Sequence, residues 1–92
     1  MDDLEKKLRV QNRYGLHARA STRLAQVAQS YQSSISLARE SCDRTVDAKS
    51  VLGILSLGAE HGEVVRIRIE GEDAQLAMAA VCELFHNKFD EE

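Results

Sequence analysis

The alternation of apolar and polar side chains along the chain predicts four β-strands. In residues 4–12 the apolar side chains share one parity and most of the charged ones take the other, which is typical of a strand with one buried face. The same period of two recurs at Ile35 and Leu37, in residues 45–47 and in residues 64–70. The pattern therefore predicts strands in these four places, with the middle two joined by a polar turn.

Helical spacing of apolar residues predicts three helices. The first begins near His17, after a loop of turn-forming residues. The second covers residues 51–57, with Ser50 placed as its N-cap and Gly58 at its end. The third follows residues 71–73, which we expect to cap it. Strands and helices thus occur in the order β-α-β-β-α-β-α.

This order predicts an α+β fold, a two-layer open-faced sandwich with three helices on one face of a four-stranded antiparallel sheet. The other face of the sheet is expected to contact solvent. The apolar residues of the helix at 51–57 nearly encircle it, and one small sheet does not bury all of them. We therefore expect an exposed apolar surface on that helix.

A chain of 92 residues with 43% hydrophobic side chains is typical of one small folded domain. We expect this domain to span residues 1–92, with short flexible ends at about 1–4 and 90–92. A domain of this size buries only about 60–65% of the surface that its unfolded chain exposes. This limit favours a surface site over an enclosed active-site cavity.

The N-terminal residues lack the charged-then-apolar order of a signal peptide. The longest apolar run, residues 51–59, is far shorter than the roughly 20 residues of a membrane span. These features predict a cytoplasmic protein without membrane insertion. Cys42 and Cys82 have no CxxC partner, which is typical of reduced thiols. Cys82 and His86 lie four residues apart, but two ligands without a third predict no metal site.

The formal net charge of −3 conceals an uneven distribution of charge along the chain. Residues 6–23 contain six basic side chains and no acidic one, whereas acidic residues predominate elsewhere. A concentrated positive region favours a small anion or an acidic protein face over a nucleic-acid backbone, which needs an extended basic stripe. The simpler interpretation is a solvated run of charges.

His17 is the candidate for chemistry because it lies where a loop passes into a helix. Its ring is then close to the unpaired N–H groups of the first turn and to the positive end of the helix dipole. That field favours the neutral ring, whose lone pair is available for nucleophilic attack. A phosphoryl group on the ring would be held by a phosphate-binding set, Ala18, Arg19 and Arg23. The simpler interpretation is a histidine that only caps the helix or packs at its start.

Three segments at matching spacing carry a family resemblance. Residues 15–20 read Gly-Leu-His-Ala-Arg-Ala, residues 48–58 read Ala-Lys-Ser-Val-Leu-Gly-Ile-Leu-Ser-Leu-Gly, and residues 70–73 read Glu-Gly-Glu-Asp. In these motifs the chain resembles the HPr family of phosphocarriers over essentially residues 5–90. The resemblance implies a sheet order of 1-4-2-3, which periodicity alone does not supply.

The resemblance also implies a function in the phosphoenolpyruvate-dependent phosphotransferase system, in sugar uptake or nitrogen-related regulation. His17 would accept a phosphoryl group at Nδ1 from Enzyme I, forming a transient phosphohistidine, and pass it to a histidine of an EIIA-type protein. Such a carrier is a stoichiometric intermediate and not an enzyme, it needs no cofactor, and we expect a monomer. The partner-docking surface carried over by position consists of Ala18, Arg19, Thr22, Val51, Leu52 and Leu55.

Two further implications concern the apolar anchor and regulation. Leu52 is expected to be the apolar anchor of the docking surface. In regulated family members the serine at the position of Ser50 is phosphorylated by a dedicated HPr kinase/phosphorylase. Negative charge added beside the docking surface would oppose an acidic Enzyme I.

Departures from the pattern of sugar carriers indicate the branch of the family. Ala20 stands where many sugar-transport members have Pro, and Gln26 and Gln29 stand where some have Lys. The turn near residues 40–44 is longer, and the chain ends in Phe-Asp-Glu-Glu. These features favour the nitrogen-related paralogue NPr over a dedicated sugar carrier.

A binding module is the alternative from another functional class. It would be a small regulatory protein-binding domain that acts without phosphotransfer and retains His17 as a contact residue. A nucleic-acid-binding domain that uses residues 6–23 is disfavoured by the acidic remainder and by the presence of only two Tyr, two Phe and no Trp. No nucleic-acid partner is therefore expected.

Overall fold

A computed structural model of the protein describes residues 2–91 and confirms the predicted order of strands and helices. The strands are β1 (Asp2–Arg9), β2 (Ser34–Arg39), β3 (Thr45–Asp47) and β4 (Val64–Gly71). They pair antiparallel in one sheet, in the order β1-β4-β2-β3. The sheet order implied by the family resemblance is therefore confirmed.

β4 is an inner strand of the sheet, which pairs with β1 on one side and β2 on the other. Alternate side chains of this strand, Val65, Ile67 and Ile69, are fully buried. The residues between them remain partly or largely exposed. One face of the sheet thus forms the floor of the core, as the period of two predicts.

The helices cover that floor, and the first of them contacts both of the others. The buried face of the first helix includes Ala20, Leu24 and Ala28, which follow helical spacing. No helix within residues 2–91 is both long enough and apolar enough to cross a membrane. The helices are α1 (Ala18–Gln29), α2 (Val51–Leu57) and α3 (Ala74–His86), and a 3-10 turn covers Lys88–Asp90.

The short helix α2 has more apolar residues than the core accepts. Ile54 and Leu57 are buried, whereas the side chain of Leu52 is 78% exposed. Ser50 caps the start of the helix, and Gly58, with φ of 64°, ends it in the left-handed conformation. The predicted bounds of this helix and its exposed apolar surface are confirmed.

The two ends of the chain differ from the expectation of flexible ends. Residues 2–4 lie in β1, where they pair with residues 69–71 of β4. The strand also ends earlier than predicted, at Arg9. The N–H of Val10 still donates to the carbonyl oxygen of Glu63 at 2.8 Å, but the N–H of Glu63 donates to Glu60 within a turn and does not continue the ladder. At the other end, residues 90 and 91 bond to the first helix and its N-cap; residues 1 and 92 lie outside the described part of the chain.

Asp73 is the N-cap of α3 by position, but its side chain does not cap the helix. Its carboxylate instead accepts the backbone N–H groups of Gln32 and Ser33, at 2.9 and 3.0 Å, and the Ser33 hydroxyl. The hydroxyl is the main cause, with the Gln32 N–H second, of a pKa of Asp73 below its ordinary value. The predicted cap is therefore wrong, since the carboxylate ties the start of α3 to the loop before β2.

Candidate functional site

The loop at residues 13–17 is fixed by close packing before α1 begins. Gly15 has φ of 70°, and a Cβ at this position would lie 2.7 Å from the carbonyl oxygen of Ala59. The same oxygen accepts the backbone N–H of the buried Leu16 at 2.9 Å. Only glycine meets both conditions at position 15, and the packing sets where the next residue, His17, reaches the surface.

His17 is the N-cap of α1, as the sequence predicts. Its Nδ1 accepts the backbone N–H of Arg19 at 3.2 Å, and its carbonyl oxygen accepts the N–H of Ser21 at 2.8 Å. A ring nitrogen that accepts a hydrogen bond carries no proton. The Nδ1 lone pair therefore lies at the positive N-terminus of the helix, next to its unpaired N–H groups.

The other ring nitrogen of His17 contacts an acidic side chain from the end of the chain. Its Nε2 lies 2.6 Å from Oε2 of Glu91. The Nδ2 of Asn12, a fully buried side chain, donates to Oε1 of Glu91 at 3.1 Å and to the carbonyl oxygen of Gly15 at 2.6 Å. Because Nδ1 accepts a hydrogen bond, the geometry assigns the ring proton to Nε2, where the N–H donates a hydrogen bond to the carboxylate.

The tail that brings Glu91 to the ring has an unusual backbone. Lys88, Phe89 and Asp90 have φ of 54°, 57° and 61°, a region that residues with a Cβ rarely adopt. Phe89 is fully buried and packs on Phe85, with 4.9 Å between the ring centroids. This apolar contact anchors the turn, so that residues 90 and 91 lie over the start of α1.

His17 lines a surface cavity of about 900 Å³. Tyr14 stands edge-on to the ring, with 6.0 Å between the two centroids. The cavity is lined by basic side chains together with the two acidic residues of the tail. Its lining residues are Gln11, Arg13, Tyr14, His17, Ala18, Arg19, His61, Lys88, Asp90 and Glu91.

The predicted phosphate-binding set is divided between two environments. Ala18 and Arg19 line the cavity with His17. Arg23 instead pairs with Asp90, with 3.1 Å between Nη1 and Oδ2. Its guanidinium is thus already matched by a carboxylate of the tail.

The basic segment at residues 6–23 does not form one positive patch. Lys7 pairs with Glu40 at 2.8 Å on the open face of the sheet, and this contact holds the pKa of the Glu40 carboxyl below its ordinary value. Arg9 donates to the carbonyl oxygen of Gly62 at 2.7 Å. A single focused region was therefore the wrong expectation, because Lys7 and Arg9 of β1 contact partners outside the cavity that His17 lines.

The residues of the predicted docking surface lie on α1 and α2, which pack side by side. Thr22 is exposed, and its hydroxyl donates to the carbonyl oxygen of Ala18 at 2.8 Å. Val51 and Leu55 are half-buried beside the exposed Leu52. Ser50 is half-buried at the start of α2, where its Oγ accepts a backbone N–H.

Several residues at the site were not singled out by the sequence patterns. Glu91 was assigned to a flexible end, and no role was predicted for His61. Asn12 lay at the end of a predicted strand. In residues 2–91, no three side chains of His, Cys, Asp or Glu are grouped as they would be to hold a metal ion.

Comparison with known proteins identifies relatives over nearly the whole chain. The family profile described as "PTS HPr component phosphorylation site" matches residues 4–87. The chain is 46% identical over 89 residues to phosphocarrier protein HPr of Xylella fastidiosa, covering 97% of this chain and 98% of the relative. It is 37% identical over 91 residues to phosphocarrier protein NPr of Shewanella violacea, with 99% and 98% covered.

The fold agrees with that of a solved relative. The crystal structure of HPr-C-His from Thermoanaerobacter tengcongensis superposes with a TM-score of 0.91 at 37% sequence identity, covering 97% of this chain and 98% of that chain. Sequence and fold thus lead to the same assignment. The protein belongs to the HPr family of phosphocarriers of the phosphotransferase system.

Proposed function

We propose that the protein carries a phosphoryl group on Nδ1 of His17, which it receives from Enzyme I and passes to an EIIA-type protein. The observation that carries the proposal is the position of the Nδ1 lone pair, which accepts the Arg19 N–H at the start of α1, on a residue that lines an open cavity. The lone pair forms the N–P bond as the donor's bond to phosphorus breaks, and the electron pair of the broken bond leaves with the donor.

The first turn of α1 supplies groups that stabilise the transferred anion. A phosphoryl group carries up to about two negative charges. Once Nδ1 is phosphorylated, the Arg19 N–H is released from the ring and donates to a phosphoryl oxygen, with the N–H of Ala18 beside it. The Arg19 guanidinium adds positive charge on the same side. Arg23 contributes after it exchanges its contact with Asp90 for one with the phosphoryl group.

Incubation with phosphoenolpyruvate and Enzyme I tests this proposal. We expect mass spectrometry to show one acid-labile phosphoryl group per chain, and none in His17→Ala. Arg19→Ala should slow transfer and leave thermal unfolding nearly unchanged, because this side chain is exposed. Absence of phosphorylation with both sugar-type and nitrogen-type Enzyme I would contradict the proposal and favour a protein-binding domain without phosphotransfer.

Leu52 is proposed as the apolar anchor for both partners, because its side chain is 78% exposed beside α1. Leu76 offers a matched control, since it is 68% exposed on α3. We expect Leu52→Glu to slow phosphorylation by Enzyme I about tenfold and Leu76→Glu to change it by less than about twofold. Equal effects of the two substitutions would exclude a specific role for Leu52.

Ser50 is proposed as a regulatory site for an HPr kinase/phosphorylase. It precedes Leu52 by two residues, so a phosphoryl group on its hydroxyl adds negative charge beside the docking surface. Ser50→Asp keeps a residue that is favoured at an N-cap and adds a charge. We expect this variant to be phosphorylated more slowly by Enzyme I at unchanged thermal stability.

We assign the carrier to the nitrogen-related branch and expect it to act as a monomer in the cytoplasm. The assignment rests on Ala20, Gln26 and Gln29 and on the acidic end of the chain. Relatives named HPr and NPr both match the chain, so transfer to sugar-type and nitrogen-type EIIA proteins must be compared directly. Faster transfer to the nitrogen-type protein is expected, and the reverse would assign the sugar branch.

A further inference from the structure

Glu91 contacts Nε2 of His17, the ring nitrogen that is not the proposed nucleophile. Its Oε2 is 2.6 Å from Nε2 of His17, and the Glu91 side chain is only 12% exposed. The buried Asn12 donates an N–H to the other carboxylate oxygen at 3.1 Å. Both oxygens of the carboxylate are thus engaged, and its position against the ring is set.

The backbone before Glu91 is held in a conformation that brings this side chain to the ring. The three residues 88–90 all lie in the left-handed region, which is unfavourable for residues with a Cβ. Burial of Phe89 against Phe85 stabilises the turn. A strained segment that is held by a core residue and ends on a reactive group points to a functional role.

We propose that Glu91 is a positioning residue for phosphoryl transfer, which keeps the ring proton of His17 on Nε2 so that Nδ1 retains its lone pair. This inference rests on the proposed function of His17. A neutral imidazole has one protonated nitrogen and one lone pair, and an ionised carboxylate only accepts hydrogen bonds. A carboxylate opposite Nε2 therefore selects the tautomer with Nδ1 free.

The same contact assists the transfer step itself. As the Nδ1 lone pair forms the N–P bond and the donor's bond to phosphorus breaks, the ring gains positive charge. The proton stays on Nε2, and the Glu91 carboxylate next to it stabilises that charge. The role corresponds to that of a carboxylate that orients a reactive histidine without taking its proton.

Substitution by glutamine tests the choice of tautomer at nearly constant shape. In Glu91→Gln the single amide oxygen accepts the Asn12 N–H, and the NH2 group then faces Nε2 of His17 as a donor. Nε2 must accept this bond, so the ring proton moves to Nδ1 and blocks the nucleophile. In Glu91→Ala the Arg19 N–H, which Nδ1 accepts at 3.2 Å, still favours the proton on Nε2, so we expect a smaller shift toward the Nδ1–H tautomer.

The experiment combines nuclear magnetic resonance with transfer kinetics on the full-length chain. Correlations between the ring 15N and 1H nuclei, recorded where the ring is neutral, give the tautomer of His17 without any partner. The initial rate of phosphorylation by Enzyme I and phosphoenolpyruvate gives the functional effect. Glu83→Gln is the matched control, since it makes the same chemical change at an exposed position on α3.

We expect the Nε2–H tautomer to predominate in the unsubstituted protein and in Glu83→Gln, and the Nδ1–H tautomer to increase in Glu91→Gln. The rate should fall about tenfold or more in Glu91→Gln and less in Glu91→Ala. An unchanged tautomer and an unchanged rate in both Glu91 variants would overturn the inference. A tautomer change in a protein that Enzyme I never phosphorylates would overturn the proposed carrier function and leave the positioning of the ring established.

Discussion

Both α1 and α2 begin with a side chain that accepts a backbone N–H of the first turn, but the two N-caps differ in what else they contact. At α2, the Oγ of Ser50 accepts the N–H of Gly53 at 2.9 Å. At α1, the Nδ1 of His17 accepts the N–H of Arg19 at 3.2 Å. Serine is among the favoured N-cap residues and histidine is not. The α1 cap therefore has the longer hydrogen bond and the less favoured residue, and it accepts the N–H two residues on, whereas Ser50 accepts the N–H three residues on.

The difference between the two caps lies on the far side of the capping group. On that side, Nε2 of His17 contacts the carboxylate of Glu91, a residue far away in the sequence. The Oγ of Ser50 instead accepts an N–H of the helix that Ser50 caps. The lone pair that caps α1 is also the one proposed to bind phosphorus, so its hydrogen bond is exchanged during each transfer. In the proposed function, one helix start thus serves stability and the other serves reactivity.

Replacing the histidine that caps α1 by serine should separate stability from reactivity most strongly. His17→Ser keeps an oxygen that accepts a first-turn N–H but removes the imidazole. We expect phosphorylation by Enzyme I to be lost entirely, while the free energy of unfolding in urea changes by no more than about 1 kcal/mol. A large loss of stability would mean that the ring is needed to hold α1 in place.

The matching substitution at α2 should give the opposite result. Ser50→Ala removes the hydroxyl that accepts the Gly53 N–H, so the free energy of unfolding should fall by about 1 kcal/mol. Phosphorylation of His17 should continue. If Ser50→Ala abolished phosphorylation, the two helix starts would not be specialised in the way proposed.

Two glycines test how far the α1 start depends on distant contacts. Gly15 and Gly58 both have positive φ, 70° and 64°, but only at Gly15 would a Cβ contact another segment closely. We expect Gly58→Ala to cost about 1 kcal/mol and Gly15→Ala about 3 kcal/mol of unfolding free energy. Equal costs in urea unfolding would show that the loop before α1 moves easily away from residues 59–61.

The elements that sequence periodicity predicts correctly are those whose signals are local. The alternation of Val65, Ile67 and Ile69 follows directly from burial of one face of β4. The bounds of α2 follow from Ser50 and Gly58, which act within one turn of the helix. Periodicity does not state which strands are neighbours, so the sheet order required the family resemblance.

The contact between His17 and Glu91 was not predictable by the same means. These residues are 74 positions apart, and the chain between them turns through consecutive left-handed residues that are not glycine. One signal was present, since Phe89 follows Phe85 by four residues and continues the apolar stripe of α3 beyond its end. A continued stripe indicates an anchored tail at residues 90 and 91, in place of the flexible end that was expected there.

Asp73 extends the comparison to a third helix start, where a favoured N-cap residue does not cap. Its carboxylate accepts from Ser33 and Gln32, and these contacts lower its pKa from the ordinary value of 3.8. A carboxyl with a lowered folded-state pKa contributes stability that is complete above the unfolded value and is lost as pH falls through the folded value. Urea unfolding should therefore show stability declining below about pH 3.8.

Substitution of this carboxylate should remove that part of the acid dependence, which we expect to be the smallest of these effects. Asp73→Asn should be less stable than the unsubstituted protein at neutral pH and should lose less stability on acidification. The exposed Asp43 provides the control, and Asp43→Asn should follow the unsubstituted protein. If Asp73→Asn kept the full acid dependence, the carboxylate would not be what ties α3 to the loop before β2, and its position at the helix start would need another explanation.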